Sequence, residues 1–217
     1  MKPLYILVEG QTEEEFVKDL LRPFLWKEKI YEIQPIKIST KAGFKGGFVN
    51  YEHLRRDATR LLKQRKEVIV STFVDYFRIP TNLPNYQSCI EFLNIDARID
   101  CLEREIYNDI GHERFLPYIQ KHEFEALLFS SNRGFESYFD KSVAGLTQSV
   151  IEQYENPEEI NDKPQTAPSK RILSFVPEYN KVLDGNIIAL EVGFETMLEK
   201  CPRFKSWIET IIEKVKV

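Results

Sequence analysis

Cysteine is scarce in this sequence. Only Cys89, Cys101 and Cys201 occur among the 217 residues, and none belongs to a Cys-x-x-Cys pair. An odd number of cysteines without such pairs argues against a disulfide framework and against a cysteine-based zinc site. We therefore expect neither feature, and a reducing cytoplasm is the compartment that fits best.

Long apolar runs are also missing. No segment approaches the roughly 20 apolar residues that a membrane-spanning helix needs. Near the N-terminus, Val8 is followed at once by Glu9, so we do not expect a signal peptide. The sequence contains no internal repeat and no low-complexity tract. Its length suits one sizeable core, or one domain with a subdomain.

Positive charge is not in excess either. Lys and Arg number 30 against 34 Asp and Glu, which gives a net charge of −4 at pH 7. This balance excludes a globally basic nucleic-acid binder, although a local basic patch or bound cations would still allow phosphate binding. The hydrophobic fraction of 42% and the charged fraction of 29% are ordinary for a globular protein.

Two apolar segments have the length and composition of buried strands. They are residues 4–8 and residues 68–74, and the second is a near-continuous β-branched and apolar run. Helical patterns alternate with strands over the first two-thirds of the chain, which predicts an α/β fold with a mostly parallel sheet flanked by helices. We expect a core at 1–130 and a mainly helical C-terminal extension at 131–217 that packs on it as a cap.

A carboxylate follows each of these strands directly: Glu9 follows the first and Asp75 the second. If the strands are parallel neighbours, both side chains emerge at one edge of the sheet, where open α/β sheets build their sites. Thr12 and Glu15 have the spacing of a capping box, which predicts a helix starting at Glu13. From that position Glu13 can point back towards Glu9.

Carboxylate oxygens are the ligands that Mg²⁺ prefers, so Glu9, Glu13 and Asp75 are candidate metal ligands. The alternative is that Glu9 and Glu13 only complement a helix N-terminus and that Asp75 only caps a loop. Both interpretations stay open on spacing alone.

A further acidic pair, Glu123 and Glu125, lies beside His122. The apolar residues around the pair suggest that a helix has begun, and on a helix the two carboxylates would point in different directions. We expect one of them to be a ligand and the other to support it. A lone histidine is more often structural than catalytic, so His122 is expected to be structural.

Basic residues in three places are candidates for holding a polyanion. The places are a glycine-rich loop, a helix face and the start of a later helix, and the residues are Lys41, Lys45, Arg55, Arg56, Lys170 and Arg171. The alternatives are a mobile surface loop, a solvated helix face and a surface turn.

The segment Val8-Glu9-Gly10-Gln11-Thr12-Glu13 resembles the first motif of Toprim domains, the catalytic fold of topoisomerases, primases and OLD-type nucleases. In that fold a Glu after the first strand acts with an Asp-x-Asp pair after a later strand to hold Mg²⁺. Val74-Asp75-Tyr76-Phe77 matches the first Asp of the pair, but Phe77 stands in place of the second.

Further segments extend the resemblance over nearly the whole chain. They are Pro117-Tyr118-Ile119-Gln120, His122-Glu123-Phe124-Glu125-Ala126-Leu127-Leu128-Phe129, Asn156-Pro157-Glu158-x-Ile160-Asn161, Ala167-Pro168-Ser169-Lys170-Arg171 and Cys201-Pro202-x-Phe204 with Trp207. In this order they are similar to one bacterial Toprim-like domain family, which is often encoded beside ATPases in mobile or defence loci.

The resemblance implies a nuclease or phosphodiesterase that depends on Mg²⁺ or Mn²⁺ and acts on DNA or RNA in bacterial defence, for example against phage. It assigns Glu9, Glu13, Asp75 and one or both of Glu123 and Glu125 to the metal, with Glu9 as ligand or general base. It implies that Lys170 stabilises the phosphate. It also implies an ATPase partner and no membrane, and it leaves a homodimer open. The rival hypotheses are a non-catalytic subunit of an ATPase complex and a small-molecule phosphatase or nucleotide-binding protein.

Overall fold

The computed structural model describes residues 1–39, 47–161 and 164–217. Its sheet has five strands, all paired in parallel. The strands are β1 Leu4–Val8, β2 Ile33–Lys37, β3 Ile69–Asp75, β4 Phe115–Leu116 and β5 Ile119–Gln120. Their order is β2-β1-β3-β4, and β5 also pairs with β3, beyond the end of β4. The expected α/β fold with a parallel sheet flanked by helices is confirmed.

The α-helices of the described chain surround this sheet. They are α1 Gln11–Phe16, α2 Arg22–Lys27, α3 Tyr51–Gln64, α4 Tyr86–Ile90, α5 Ile95–Ile110, α6 Arg133–Tyr138, α7 Lys141–Ile151, α8 Pro168–Phe175, α9 Leu183–Val192, α10 Phe194–Lys200 and α11 Pro202–Lys216. A π-helical turn, Val17–Leu21, joins α1 to α2, and 3₁₀ segments cover Phe124–Ser130, Pro157–Glu159 and Pro164–Thr166. None of the described helices has the length and apolar character to cross a membrane.

The register of the sheet places Glu9 and Asp75 at one edge. Val8, the last residue of β1, pairs with Phe73 of β3 and with Lys37 of β2. Parallel neighbours run in the same direction, and β3 continues past Phe73 to Asp75, so Glu9 and Asp75 both lie where the strands end. This is the carboxyl edge, at which the candidate site must lie.

The helix after β1 starts earlier than the capping-box spacing predicts. Gly10 is its N-cap, and the Gly10 N–H donates to Glu13 Oε2 at 3.0 Å. The prediction of a Thr12–Glu15 box with a start at Glu13 is therefore wrong by two residues. Because Gly10 has no side chain, the Glu13 carboxylate is the group that caps the start of the helix.

The two faces of the sheet bury separate apolar clusters. On one face, Ile6 of β1 and Phe73 of β3 pack with the C-terminal helices, and on the other Val70 and Val74 pack against α3 and α5. Alternate residues of β3 thus enter different clusters, as a strand covered on both sides requires. Its run of buried residues from Ile69 to Asp75 explains the near-continuous apolar pattern.

The C-terminal helices share the core of the sheet. Trp207 of α11 stacks on Tyr118 with ring centroids 4.3 Å apart, and its indole N–H donates to Ser71 Oγ of β3 at 2.9 Å. A buried indole usually finds a partner for its N–H. The helical cap is therefore joined to the sheet through one continuous core, while the boundary between residues 130 and 131 stays a prediction.

Two cysteines differ from expectation. Cys89 of α4 and Cys101 of α5 form a disulfide, with Cα atoms 5.5 Å apart, whereas Cys201 is free and buried. The expectation of no disulfide is thus wrong. The physical reason is a break at residues 91–94, where a segment that reads as one long helix folds back on itself and brings the two cysteines together.

Two glycines of the C-terminal part offer a matched stability test. A Cβ on Gly134 of α6 would lie 2.7 Å from the Ile188 carbonyl oxygen of α9, whereas a Cβ on Gly145 of α7 would meet nothing within 4 Å. We expect Gly134→Ala to lower the free energy of unfolding by about 1–3 kcal/mol through overpacking. Gly145→Ala should raise it by up to about 1 kcal/mol through helix propensity. Urea unfolding measures both, and equal effects would contradict close α6–α9 packing.

Candidate metal site

The carboxylates of β1 and β3 meet at the carboxyl edge of the sheet. Asp75 is the last residue of β3, and its backbone N–H donates to Glu9 Oε2 at 3.3 Å. Asp75 is buried, while Glu9 is partly exposed. Gly47 approaches from the other side, since its N–H donates to the Glu9 carbonyl oxygen at 3.3 Å. The structure thus brings together the two residues that the strand ends predict.

Asp75 uses both of its carboxylate oxygens. Oδ1 accepts from the Phe124 backbone N–H at 2.8 Å, and Oδ2 accepts from the Lys181 ammonium at 2.9 Å. The first contact connects β3 to the start of the 3₁₀ segment that carries Glu125. Asp75 therefore holds two distant parts of the chain at the site and does more than cap a loop.

Glu13 joins the same cluster from the first turn of α1. One carboxylate oxygen caps the helix through the Gly10 N–H, and the other, Oε1, lies 3.3 Å from Lys181 Nζ. Glu13 therefore complements the helix N-terminus and also faces the cluster, while its role as a metal ligand stays a prediction.

Glu123 and Glu125 face different partners. His122 has left-handed backbone geometry (φ 65°), which turns the chain out of β5. Glu123 Oε1 then accepts from the Ser169 N–H of α8 at 2.6 Å, whereas Glu125 Oε2 lies 3.3 Å from Lys181 Nζ. The fully buried Glu125 has no hydrogen bond within the described chain to either carboxylate oxygen. Glu125 therefore belongs to the cluster, and Glu123 caps a helix beside it.

Lys181 is the functional candidate that the sequence did not reveal. Its ammonium lies 3.3, 2.9 and 3.3 Å from carboxylate oxygens of Glu13, Asp75 and Glu125, respectively. It precedes α9 in a stretch without motif or charge pattern, so no local signal marks it. About a third of the side chain is exposed, although its ammonium lies among buried carboxylates.

The electrostatics of the cluster follow from burial and from like charge. Burial, together with Asp75 and Glu13, raises the pKa of Glu9 to about 7. Burial also raises the pKa of Glu125 to about 8, against the lowering effect of Lys181. Burial alone would lower the pKa of Lys181, but the three carboxylates raise it well above its usual range. Lys181 therefore stays protonated, and its single positive charge does not balance all of the carboxylates around it.

The donor set fits a hard cation in its chemistry. Only carboxylate oxygens converge here, and those of the buried Glu125 lack hydrogen-bond partners in the described chain. As the side chains stand, no group of three or more His, Cys, Asp or Glu residues within the described ranges is arranged to hold a metal ion. Lys181 stands instead where Glu13, Asp75 and Glu125 converge. Glu9 and Asp75 therefore stay the candidate residues for holding a divalent ion.

The predicted basic residues take varied positions. Lys170 is exposed on α8, next to Ser169, whose backbone N–H donates to Glu123. Arg171 turns inward, donates to the Thr166 carbonyl oxygen at 2.9 Å and lies over the Tyr154 ring. Within the described chain, Arg55 pairs with Asp109 at 2.8 Å, and Arg56 donates to the Ser39 carbonyl oxygen at 2.9 Å. Lys41 and Lys45 lie outside the described residues.

Phe77, which stands where a second aspartate is expected, has a structural role. The Phe77 N–H donates to the His122 carbonyl oxygen at 2.7 Å, and the Arg78 guanidinium lies 5.3 Å from the Phe77 ring centroid. This hydrogen bond ties the loop after β3 to the segment that carries Glu125. Phe77 supplies no ligand, so Glu125 is the residue that brings a further carboxylate towards Asp75.

The comparisons with known proteins agree with this fold. The sequence matches the family described as "Domain of unknown function (DUF4276)" over residues 8–212, and the chain belongs to that family. No curated protein matches it. A structure of the C-terminal region of the Xanthomonas campestris pv. campestris OLD protein, phased with platinum, is similar with a TM-score of 0.52 and 16% identity, over 99% of this chain and 92% of that one.

Two further structures of the same OLD region, phased with mercury and with iodine, also match. Their TM-scores are 0.46 each, at 14% and 15% identity, over 99% of this chain and 95% and 94% of theirs. The platinum-phased structure shows that this chain shares the fold of that OLD region.

The raised pKa values predict how stability depends on pH when no divalent cation is present. Glu9 and Glu125 have folded-state pKa values of about 7 and about 8, above the ordinary value of 4.5. Between these limits the folded chain binds more protons than the unfolded chain, so the free energy of unfolding should fall as pH rises from about 5 to 8. Urea titrations at several pH values measure this slope.

Matched variants identify the groups responsible for that slope. Glu9→Gln and Glu125→Gln should each flatten the dependence, because the amide does not ionise. Glu191→Gln, on the exposed side of α9, should leave it unchanged. An identical slope in all four proteins would contradict the assignment.

Proposed function

We propose that this protein is a divalent-metal-dependent phosphodiesterase that cuts nucleic acid, as a nuclease of Toprim type. One observation carries the proposal: Glu9, Glu13, Asp75 and Glu125 gather with one lysine at the carboxyl edge of a parallel sheet. Sites of open α/β sheets lie at that edge. The fold shared with the C-terminal region of the OLD protein supports the class of domain.

The cation required is Mg²⁺ or Mn²⁺, because the donors are carboxylate oxygens. Glu9 and Asp75 would hold it, with Glu13 and Glu125 close by. Such an ion would polarise a phosphoryl oxygen and make a bound water more acidic. Buried carboxylates that are short of positive charge favour the binding of a cation.

The chain's own residues account for proton transfer and charge stabilisation. Glu9 is partly exposed, and a Glu9 oxygen that does not bind the ion could take a proton from an attacking water. The Lys181 ammonium lies within the same cluster and can offset negative charge that develops on the phosphate. We retain Lys170 as a second contact, since it is exposed at the start of α8 beside the Ser169–Glu123 hydrogen bond.

The substrate proposed is a polynucleotide, DNA or RNA. Arg55 and Arg56 are about half exposed and would contact its backbone together with Lys41 and Lys45, while Arg171 would act mainly by supporting α8. The proposed setting is bacterial defence with an ATPase partner, which rests on the family resemblance alone.

Cleavage assays test the proposal directly. The purified chain is incubated with single- and double-stranded DNA, RNA, tRNA and free nucleotides, with Mg²⁺, Mn²⁺ or EDTA. We expect cleavage of a polynucleotide only with metal, and a loss of at least about 100-fold in Glu9→Gln and in Asp75→Asn, because each removes a ligand charge. Circular dichroism checks folding, and Glu191→Gln is the control.

Other outcomes point to the rival classes. Hydrolysis confined to free nucleotides would indicate a small-molecule phosphatase. If Glu9→Gln and Asp75→Asn keep the full biological effect in cells, the catalytic proposal fails and a non-catalytic subunit of an ATPase complex takes its place.

A further inference from the structure

Lys181 makes the contacts that a metal ion makes in an acidic site. Its Nζ contacts three carboxylates, from α1, β3 and the 3₁₀ segment, at 3.3, 2.9 and 3.3 Å. All three carboxylates, those of Glu13, Asp75 and Glu125, are more than nine-tenths buried. Buried carboxylates need a cation or a proton, and here an ammonium on the chain itself supplies the charge.

The backbone beneath Lys181 is fixed from both sides. Asn180 Oδ1 accepts from the Val182 and Leu183 N–H groups at 3.0 and 3.1 Å, and the Asn180 N–H donates to Asp184 Oδ2 at 2.7 Å. Tyr179, which precedes Asn180, is buried. Its hydroxyl occupies the space that a Cβ on Gly185 would need. Lys181 therefore extends from an ordered turn, unlike a lysine on a loose surface loop.

Glu9 stands apart from this arrangement. Lys181 forms no ion pair with it in the described chain, and Glu9 instead accepts from the Asp75 N–H and is partly exposed. Phe77 also stands where the Toprim resemblance expects a second aspartate, which would be a further ligand for a pair of ions. The carboxylates thus divide into a group that Lys181 neutralises and an open side formed by Glu9 with Asp75.

We propose that Lys181 is a built-in cation that takes the place of one of two metal ions, so that the chain binds a single divalent ion through Glu9 and Asp75. This inference rests on the proposed function and specifies its metal requirement. The ammonium and the single ion would together supply the positive charge that two ions supply in a paired-metal site. Lys181 would remain in place while the ion is bound.

The number of bound ions tests this assignment without any activity assay. Mn²⁺ binding to the full chain is measured by isothermal titration calorimetry and by the electron paramagnetic resonance signal of free Mn²⁺. We expect one ion per chain in the wild type and two in Lys181→Met, because Glu13, Asp75 and Glu125 would then lack a cation. Lys141→Met, an exposed lysine at the start of α7, should still bind one.

A double variant tests whether the second ion binds at the position of the Lys181 ammonium. Lys181→Met/Glu125→Gln removes the ammonium together with one of its three carboxylates, so fewer buried acidic groups are left without a cation. It should bind one ion again, which also keeps the test informative if Lys181→Met alone does not fold. Two ions in this double variant would overturn the assignment.

The remaining outcomes separate this inference from the proposed function. Two ions in the wild type, or one in Lys181→Met, would contradict the proposal that Lys181 takes the place of a metal ion. Either result would leave the proposed metal-dependent reaction intact. No ion in the wild type and one in Lys181→Met would uphold the built-in cation and overturn the metal-dependent reaction. No ion in any variant would overturn both.

Discussion

The ion pairs of one ammonium with three carboxylates decide how this fold is assembled at its functional edge. Glu13, Asp75 and Glu125 are all buried, and removing three negative charges from water is costly unless a cation lies among them. Lys181 reaches them from a fourth segment, far along the chain. The contact therefore requires α1, the end of β3, the 3₁₀ segment and the turn before α9 to come together. Loss of the ammonium would leave buried charges unpaired, whereas loss of one carboxylate would leave the others partly compensated.

This constraint changes how the C-terminal part should be understood. A helical cap that only covered the sheet could move or be absent without altering the site. Here the cap contributes Lys181 to the carboxylates and Trp207 to the core, where its indole N–H bonds Ser71 of β3. The sheet positions Glu9 and Asp75. The cap provides Lys181, whose ammonium lies among the carboxylates of Glu13, Asp75 and Glu125. The sheet and the cap therefore form one functional unit, wherever a domain boundary is drawn.

The sequence could predict those parts of the site that follow from local periodicity. Glu9 and Asp75 come directly after strands, and parallel pairing brings strand ends together, so their approach follows from the pattern. Lys181 could not be found this way, because its contacts depend only on tertiary packing. The Cys89–Cys101 disulfide is hidden for the same reason, since it depends on a break inside an apparently continuous helix. The helix start was misplaced because Gly10, which has no side chain, serves as N-cap in place of Thr12.

The family motifs contain two kinds of acidic residue, and their hydrogen bonds tell them apart. Glu158 accepts from the Arg203 and Phe204 N–H groups at 2.8 and 2.9 Å, and so caps the start of α11. Glu123 likewise accepts from Ser169 of α8, so helix N-termini compensate both charges. Glu125 receives no backbone donor in the described chain, and the carboxylates around it share a single lysine. Of these motif carboxylates, Glu125 is therefore the one that depends on Lys181 and not on a helix N-terminus.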